Sequence, residues 1–246
     1  MRERTIFDSL AWMALLLGAL LSTAGFVLAF TTAPMVKGVD LQVFAQIGGV
    51  HVDYQLLFSQ KIFYFHMPVA ITSFIALLFT AIYSIIFLVK KDPKYDLRAR
   101  IATEIALVFV LMTMASGMLW ERYEWGVWWT WEPRLTTYFI LTLMVIAYFI
   151  LRRALDDPER RATYAAVFGV IAAVNAPISF LITRIIPTRT HPVIFRTDSG
   201  LPPDMLLPLL LSMFGILMVA FGIYRFRLRE QRLRLQLEDL KAQLED

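Results

Sequence analysis

Trp120-Glu121-Arg122-Tyr123-Glu124-Trp125-Gly126-Val127-Trp128-Trp129-Thr130-Trp131-Glu132-Pro133-Arg134 separates two apolar runs, each long enough to cross a membrane. Five of the six tryptophans of the chain fall inside it. If the stretch is helical, Trp125, Trp128, Trp129 and Glu132 follow i, i+3, i+4 and i+7 and share one face. The result is a flat aromatic surface with a carboxylate at one end and Arg134 beside it. Tryptophan also collects at membrane interfaces as an aromatic belt. A belt needs only scattered rings, whereas this density predicts a ligand-binding platform.

Working outward, apolar and charged segments alternate along all 246 residues. Hydrophobic residues make up 58% and mean hydropathy is +0.61, which excludes an ordinary soluble domain. The reading is an all-α integral membrane protein with six spans at about 10–30, 68–89, 101–120, 133–151, 164–186 and 205–224. No small-residue cleavage site follows the first apolar run, so it is expected to span. Lys61 and Lys90 bracket more residues than the bilayer needs. Pro68 suits a first helical turn and moves the expected start of span two inward, leaving Lys61 and His66 at the membrane edge. A tilted, proline-kinked helix is the alternative. Asn175-Ala176-Pro177 interrupts span five, and its freed carbonyl and amide need partners in the bundle.

Charge sets the expected orientation. Seventeen of the 24 lysines and arginines fall at the N-terminus, in the 90–100 and 152–161 loops, and after span six. By the positive-inside rule both termini are cytoplasmic, and the tryptophan segment lies outside with His51, His66 and His191. The net charge of +4 reflects this topology and does not point to nucleic acid. After Tyr224, Leu233, Leu237, Leu240 and Leu244 recur at helical spacing, so residues 225–246 read as a short cytoplasmic amphipathic helix. It would dock a partner or lie solvated with its basic half near anionic membrane lipid.

With no cysteine, thiolate metal sites and thiol redox chemistry are excluded, and no P-loop occurs. His66 and His191 lie in separate outer loops, so they suit a metal approached from opposite sides. Zinc would want further ligands, for which His51, Asp53 and Glu132 are the candidates. Haem needs only two axial nitrogens, an apolar wall and cations for its propionates. The tryptophans supply the wall, and Arg134, Lys61, Arg184 and Arg189 are candidate cations. Haem accounts for more of these residues than zinc does. Glu132, just before Pro133, also suits a helix cap, and a histidine beside a proline suits a polar anchor.

Trp125-Gly-Val-Trp-Trp-Thr-Trp-Glu-Pro-Arg-Leu-Thr-Thr137 resembles the tryptophan-rich WWD signature of the cytochrome c assembly family, and among its members the CcmC type. The segments Asp53-Tyr-Gln, Lys61 to Ala70, Val174 to Ile178 and Thr188 to His191 resemble that family's other motifs. The resemblance implies haem b carried as cargo on the outer face of the bacterial inner membrane, with His66 and His191 as axial ligands. Trp125, Trp128, Trp129, Trp131, Glu132, Arg134 and Lys61 would complete the site. It implies delivery to a CcmE-type haem chaperone, in an assembly with CcmA- and CcmB-type ABC transporter subunits and a small CcmD-type subunit. No covalent step by this chain is implied, so it is expected not to be an enzyme. Two departures stand out: Glu132 replaces the usual Asp, and Pro133 follows it. The rival readings are a haem lyase or synthase subunit acting on apocytochrome c, and a small-substrate transporter with Asn175-Ala-Pro177 as its broken helix.

Overall fold

A computed structural model describes residues 2–34, 60–186, 201 and 203–245. Its regular elements are α1 (Arg2–Thr31), a 3-10 turn (Gln60–Ile62), α2 (Phe63–Lys90), α3 (Pro93–Trp125), α4 (Pro133–Ala154), α5 (Pro158–Ile185) and α6 (Pro203–Glu245). All six α-helices are long and apolar enough to cross a membrane, and no strand occurs among the described residues. The protein is therefore an all-helical, multi-pass membrane protein.

The helices outrun the apolar runs because their ends are capped in the flanking polar loops. Helices α3, α4 and α5 each begin with a proline, where the missing N–H is harmless. Asp92 accepts from the Lys94 N–H at 3.0 Å and Asp157 from the Arg160 N–H at 2.8 Å, each satisfying an otherwise orphaned donor.

Helix α2 departs from the start expected at Pro68. It begins at Phe63 and places Pro68 inside the helix. Phe63 and Tyr64 are buried in a cluster with Ala29, Ala33, Met205 and Leu209, which favours a helical turn ahead of the proline. His66 thus stands on the first turn of α2, not in a loop before it. The tail also differs from a separate element. Helix α6 continues unbroken from the membrane span to Glu245, with no Gly or Pro after Gly222 to stop it. Arg227 and Arg234 both pair with Glu230 along that continuation.

Helix α2 is the hub. It packs on α3, α5 and α6, while α1 runs along α6 and α4 along α5. The shared core joins Val69 and Leu77 of α2 to Val110 of α3 and Leu141 and Val145 of α4. At the Lys90 end, Arg152 clamps Asp96 with two bonds of 2.6 and 2.8 Å, joining α4 to α3. There Arg227 also reaches Glu104 at 2.8 Å, joining α6 to α3.

Lipid supplies no hydrophobic force between helices, so α1 and α6 meet through small residues. A Cβ on Gly215 would lie 2.5 Å from the Ser22 backbone nitrogen and 2.7 Å from the Gly18 carbonyl oxygen. Those are backbone atoms that cannot step aside. A Cβ on Gly222 would meet Leu15 Cγ at 2.6 Å, with the nearest backbone atom, the Ala11 carbonyl oxygen, farther off at 3.1 Å. Gly215→Val should lower thermal stability in detergent by an overpacking cost of about 1–3 kcal/mol or more. Gly222→Ala should lose clearly less in the same melt. Equal losses would mean that close approach at Gly215 does not hold α1 on α6.

Candidate functional site

The tryptophan stretch is not one helix. α3 carries it as far as Trp125, and Gly126 then adopts φ 74°, a left-handed conformation that glycine tolerates and that ends the helix. Trp125, Trp128, Trp129 and Glu132 therefore do not share a helical face. Residues 127–132 instead fold back as a non-helical arm to the start of α4. The Arg122 guanidinium donates to the Gly126 carbonyl and lies 5.8 Å over the Trp128 ring. Trp129, Trp131 and Phe139 form a three-ring cluster, edge to face, with centroids 5.7 to 6.1 Å apart. Thr130 Oγ1 donates to Glu121 Oε1 at 2.8 Å and latches the arm to α3. Glu132 holds the N-cap position of α4 through its backbone, but its side chain makes no capping bond. Pro133 fills the first helical position, which accounts for its place after Glu132.

Beneath this arm, a cavity of about 190 Å³ opens between α2, α3, α4 and α5. His66, Trp125, Trp129 and Arg134 line it, so the fold gathers four of the expected site residues from α2, the end of α3, the arm and the start of α4. Trp128 and Trp131 are outside its lining and are 53% and 73% exposed. His191, like His51, Asp53 and Arg189, lies outside the described residues. Lys61 is turned elsewhere. Buried at 7% exposure, its Nζ donates to the carbonyls of Ala29 at 2.6 Å and Ala33 at 2.9 Å, closing the C-terminal end of α1. Lys61→Met should leave those carbonyls without a donor and cost about 1–3 kcal/mol of stability. Thermal melts in detergent read that loss. A variant as stable as the parent would remove Lys61 from this capping role.

The geometry also fixes the chemistry of His66. Its Nδ1 lies 2.9 Å from Ser116 Oγ. Ser116 already donates its own proton to the Met112 carbonyl at 2.8 Å, so it accepts from Nδ1–H. That tautomer leaves the lone pair on Nε2, the form an axial metal ligand requires. The imidazole also packs edge to face on Trp120, with centroids 5.7 Å apart. A Cβ on Gly117 would lie 3.2 Å from His66 Cε1, so the glycine keeps room for the ring.

Four buried polar atoms in the cavity wall find no hydrogen-bond partner among the described residues: Trp120 Nε1, Trp129 Nε1, Glu121 Oε2 and Ser179 Oγ. Such atoms are costly unless something else satisfies them. Two indole N–H donors with the Arg134 guanidinium, which donates to the Phe180 carbonyl at 3.4 Å and feels the Glu132 carboxylate, form a donor set suited to a carboxylate. Most of the remaining wall, including Phe74 and Tyr138, is apolar or aromatic, with Thr113 and the carboxylates of Glu121 and Glu124 among it. This combination fits haem: an imidazole for iron, rings for the porphyrin and donors for propionates. A bare metal ion fits less well, since no three His, Cys, Asp or Glu side chains converge among the described residues.

Sequence reasoning missed Ser116 and Gly117, and it included Trp120 and Glu121 in the tryptophan stretch without naming them as site residues. A signal existed: Thr113, Gly117, Glu121 and Glu124 recur at helical spacing, with a carboxylate against an apolar run. The transporter reading leans on Asn175-Ala-Pro177. α5 is continuous there, and Asn175 Nδ2 is already bonded to the Thr137 carbonyl at 3.0 Å.

The family model described as "Heme exporter protein C" matches residues 3–243. A heme exporter protein C of Bradyrhizobium diazoefficiens is 39% identical over 126 residues, 51% of this chain and 48% of that protein. One from Paracoccus denitrificans is 31% identical over 127 residues, 52% of this chain and 53% of that protein. The match therefore spans about half the length of these two relatives. The heme exporter protein C of Escherichia coli K12 is 30% identical over 173 residues, 70% of each chain.

Proposed function

The chain belongs to the heme exporter protein C family, and on that premise we propose that it binds haem at the tryptophan arm and hands it on during cytochrome c biogenesis. The observation that carries this reading is the cavity itself. It sets a histidine in its ligand tautomer beside two unpartnered indole donors and an arginine. His66 Nε2 takes one face of the iron, and His191, from the segment before α6, takes the other. Trp125 and Trp129 hold the porphyrin. The propionates accept from Arg134 and the indole N–H groups, which turns the opposite edge outward. Trp128 and Trp131, exposed beside the cavity, form the apolar lip that meets the recipient. Glu132 sits at the hinge between this lip and α4.

The recipient is a haem chaperone of the CcmE type on the outer face of the inner membrane. The chain works there with CcmA- and CcmB-type transporter subunits and a CcmD-type subunit, and the lysine and arginine bias places both termini in the cytoplasm. No side chain of the site is asked to make or break a covalent bond, so the role is binding and positional. A transfer assay tests it. The haem-loaded chain is mixed with a soluble CcmE-type chaperone, and haem should move to the chaperone with loss of absorbance from the membrane fraction. Haem that stays on the chain would overturn the delivery role. A covalent cytochrome c made by this chain with apocytochrome alone would establish the lyase reading instead.

A further inference from the structure

A second cavity, of about 150 Å³, lies toward the opposite end of α2, between α2, α3 and α6. Its body is apolar, built from Ala76, Ile105 and Leu217. Its rim is formed by Phe79 and Phe221, 46% and 44% exposed, so it faces the surface where a bilayer would lie. Its far end is polar. Tyr83 and Tyr224 close it, and the buried Tyr224 hydroxyl, although it faces Tyr83, makes no bond of hydrogen-bonding geometry.

The charges around that polar end are unevenly used. Arg100 and Arg227 are held by Glu104, and Arg152 is held by Asp96. Arg98 stacks on Tyr83 at 5.8 Å and on Tyr95 at 5.6 Å, and Asp92 acts on it only at longer range than the ion pairs of its neighbours. Arg98 and Tyr224 stand at the ends of the apolar runs of α3 and α6, the depth at which lipid headgroups sit. An apolar groove open to the bilayer thus ends at interface depth on a buried Tyr224 hydroxyl without a bond of hydrogen-bonding geometry, and the Arg98 guanidinium lies just beyond its lining, over the Tyr83 ring.

We propose that this groove holds an anionic phospholipid. One acyl chain lies between α2, α3 and α6, and the phosphate accepts from Arg98 and from the Tyr224 hydroxyl. Charge complementarity selects the headgroup, as it does in other basic pockets between membrane helices. The lipid would wedge α6 against α2 and α3 near the point where α6 leaves the membrane for its long extension. Nothing in this inference depends on haem, and its test involves none.

Full-length protein in nanodiscs of equal parts phosphatidylglycerol and phosphatidylcholine is released into native mass spectrometry. The parent chain should retain phosphatidylglycerol in preference to phosphatidylcholine. Arg98→Gln should retain about fivefold less, the effect of one interfacial cation. Tyr224→Phe is nearly isosteric and removes only a hydroxyl, so it should fold and also retain less. Equal retention of the two lipids by the parent would overturn the proposal. Undiminished phosphatidylglycerol on a folded Tyr224→Phe or Arg98→Gln chain would do so as well, because ordinary surrounding lipid is indifferent to these two groups.

Discussion

His66→Ala is expected to weaken haem binding by at least about 100-fold, beyond the 10–100-fold usual for losing a group that merely orients a ligand. The side chain sits on the first turn of α2, in the cavity wall and on the Trp120 ring, with Ser116 fixing its tautomer. On the proposed reading, removing it takes away an iron ligand and leaves the aromatic wall of the cavity intact. The Soret band of haem-loaded protein should therefore shift and lose intensity, and added imidazole should restore it in part. Ser116→Ala keeps the ligand but frees its tautomer, and a smaller loss of about 10–100-fold follows. An unshifted Soret band in His66→Ala would remove His66 from the iron. A Ser116→Ala chain as weak as His66→Ala would show that Ser116 does more than orient the ring.

Gly117→Val is expected to do nearly as much damage without removing any group proposed to meet haem. A Cβ at this position would already lie 3.2 Å from His66 Cε1, tighter than ordinary contact. The two further methyl groups of valine would drive the imidazole off Ser116 and Trp120. Valine costs an α-helix only a few tenths of a kcal/mol relative to the best helix formers, so α3 should persist and the chain should reach the membrane. Gly117→Ala should fall between parent and valine. The measurement is haem affinity by absorbance titration beside a thermal melt. Lost affinity with a preserved melt is the expected pair, and unchanged affinity would mean that the ring is not held where Gly117 confronts it.

Six spans were legible in the sequence because hydropathy and length report bilayer crossing directly. Helix ends were less so. Pro68 pointed to a start of span two at its own position, but burial of Phe63 and Tyr64 against α1 and α6 outweighs that local preference. The tryptophan density singled out a segment that contributes Trp120, Trp125 and Trp129 to the cavity wall, while helical spacing misassigned its face because Gly126 stops α3. Lys61 looked like a propionate cation by proximity to His66 in sequence. One turn of helix aims it the other way, at the carbonyls closing α1. Ser116, Gly117 and Trp120 matter through what they touch on α2, a relation between helices that no single stretch of sequence displays. The bond of Glu104 to Arg227 spans 123 positions of sequence, a separation that no local pattern displays.

The most direct test of the account is haem titration into the purified parent protein in nanodiscs, followed at once by Soret absorbance and by tryptophan fluorescence. Trp120, Trp125 and Trp129 line the cavity, so haem bound there must quench indole emission as the Soret band grows. The account predicts that both signals saturate together at one haem per chain. A Soret signal that rises without saturating, with tryptophan emission unchanged, would contradict it.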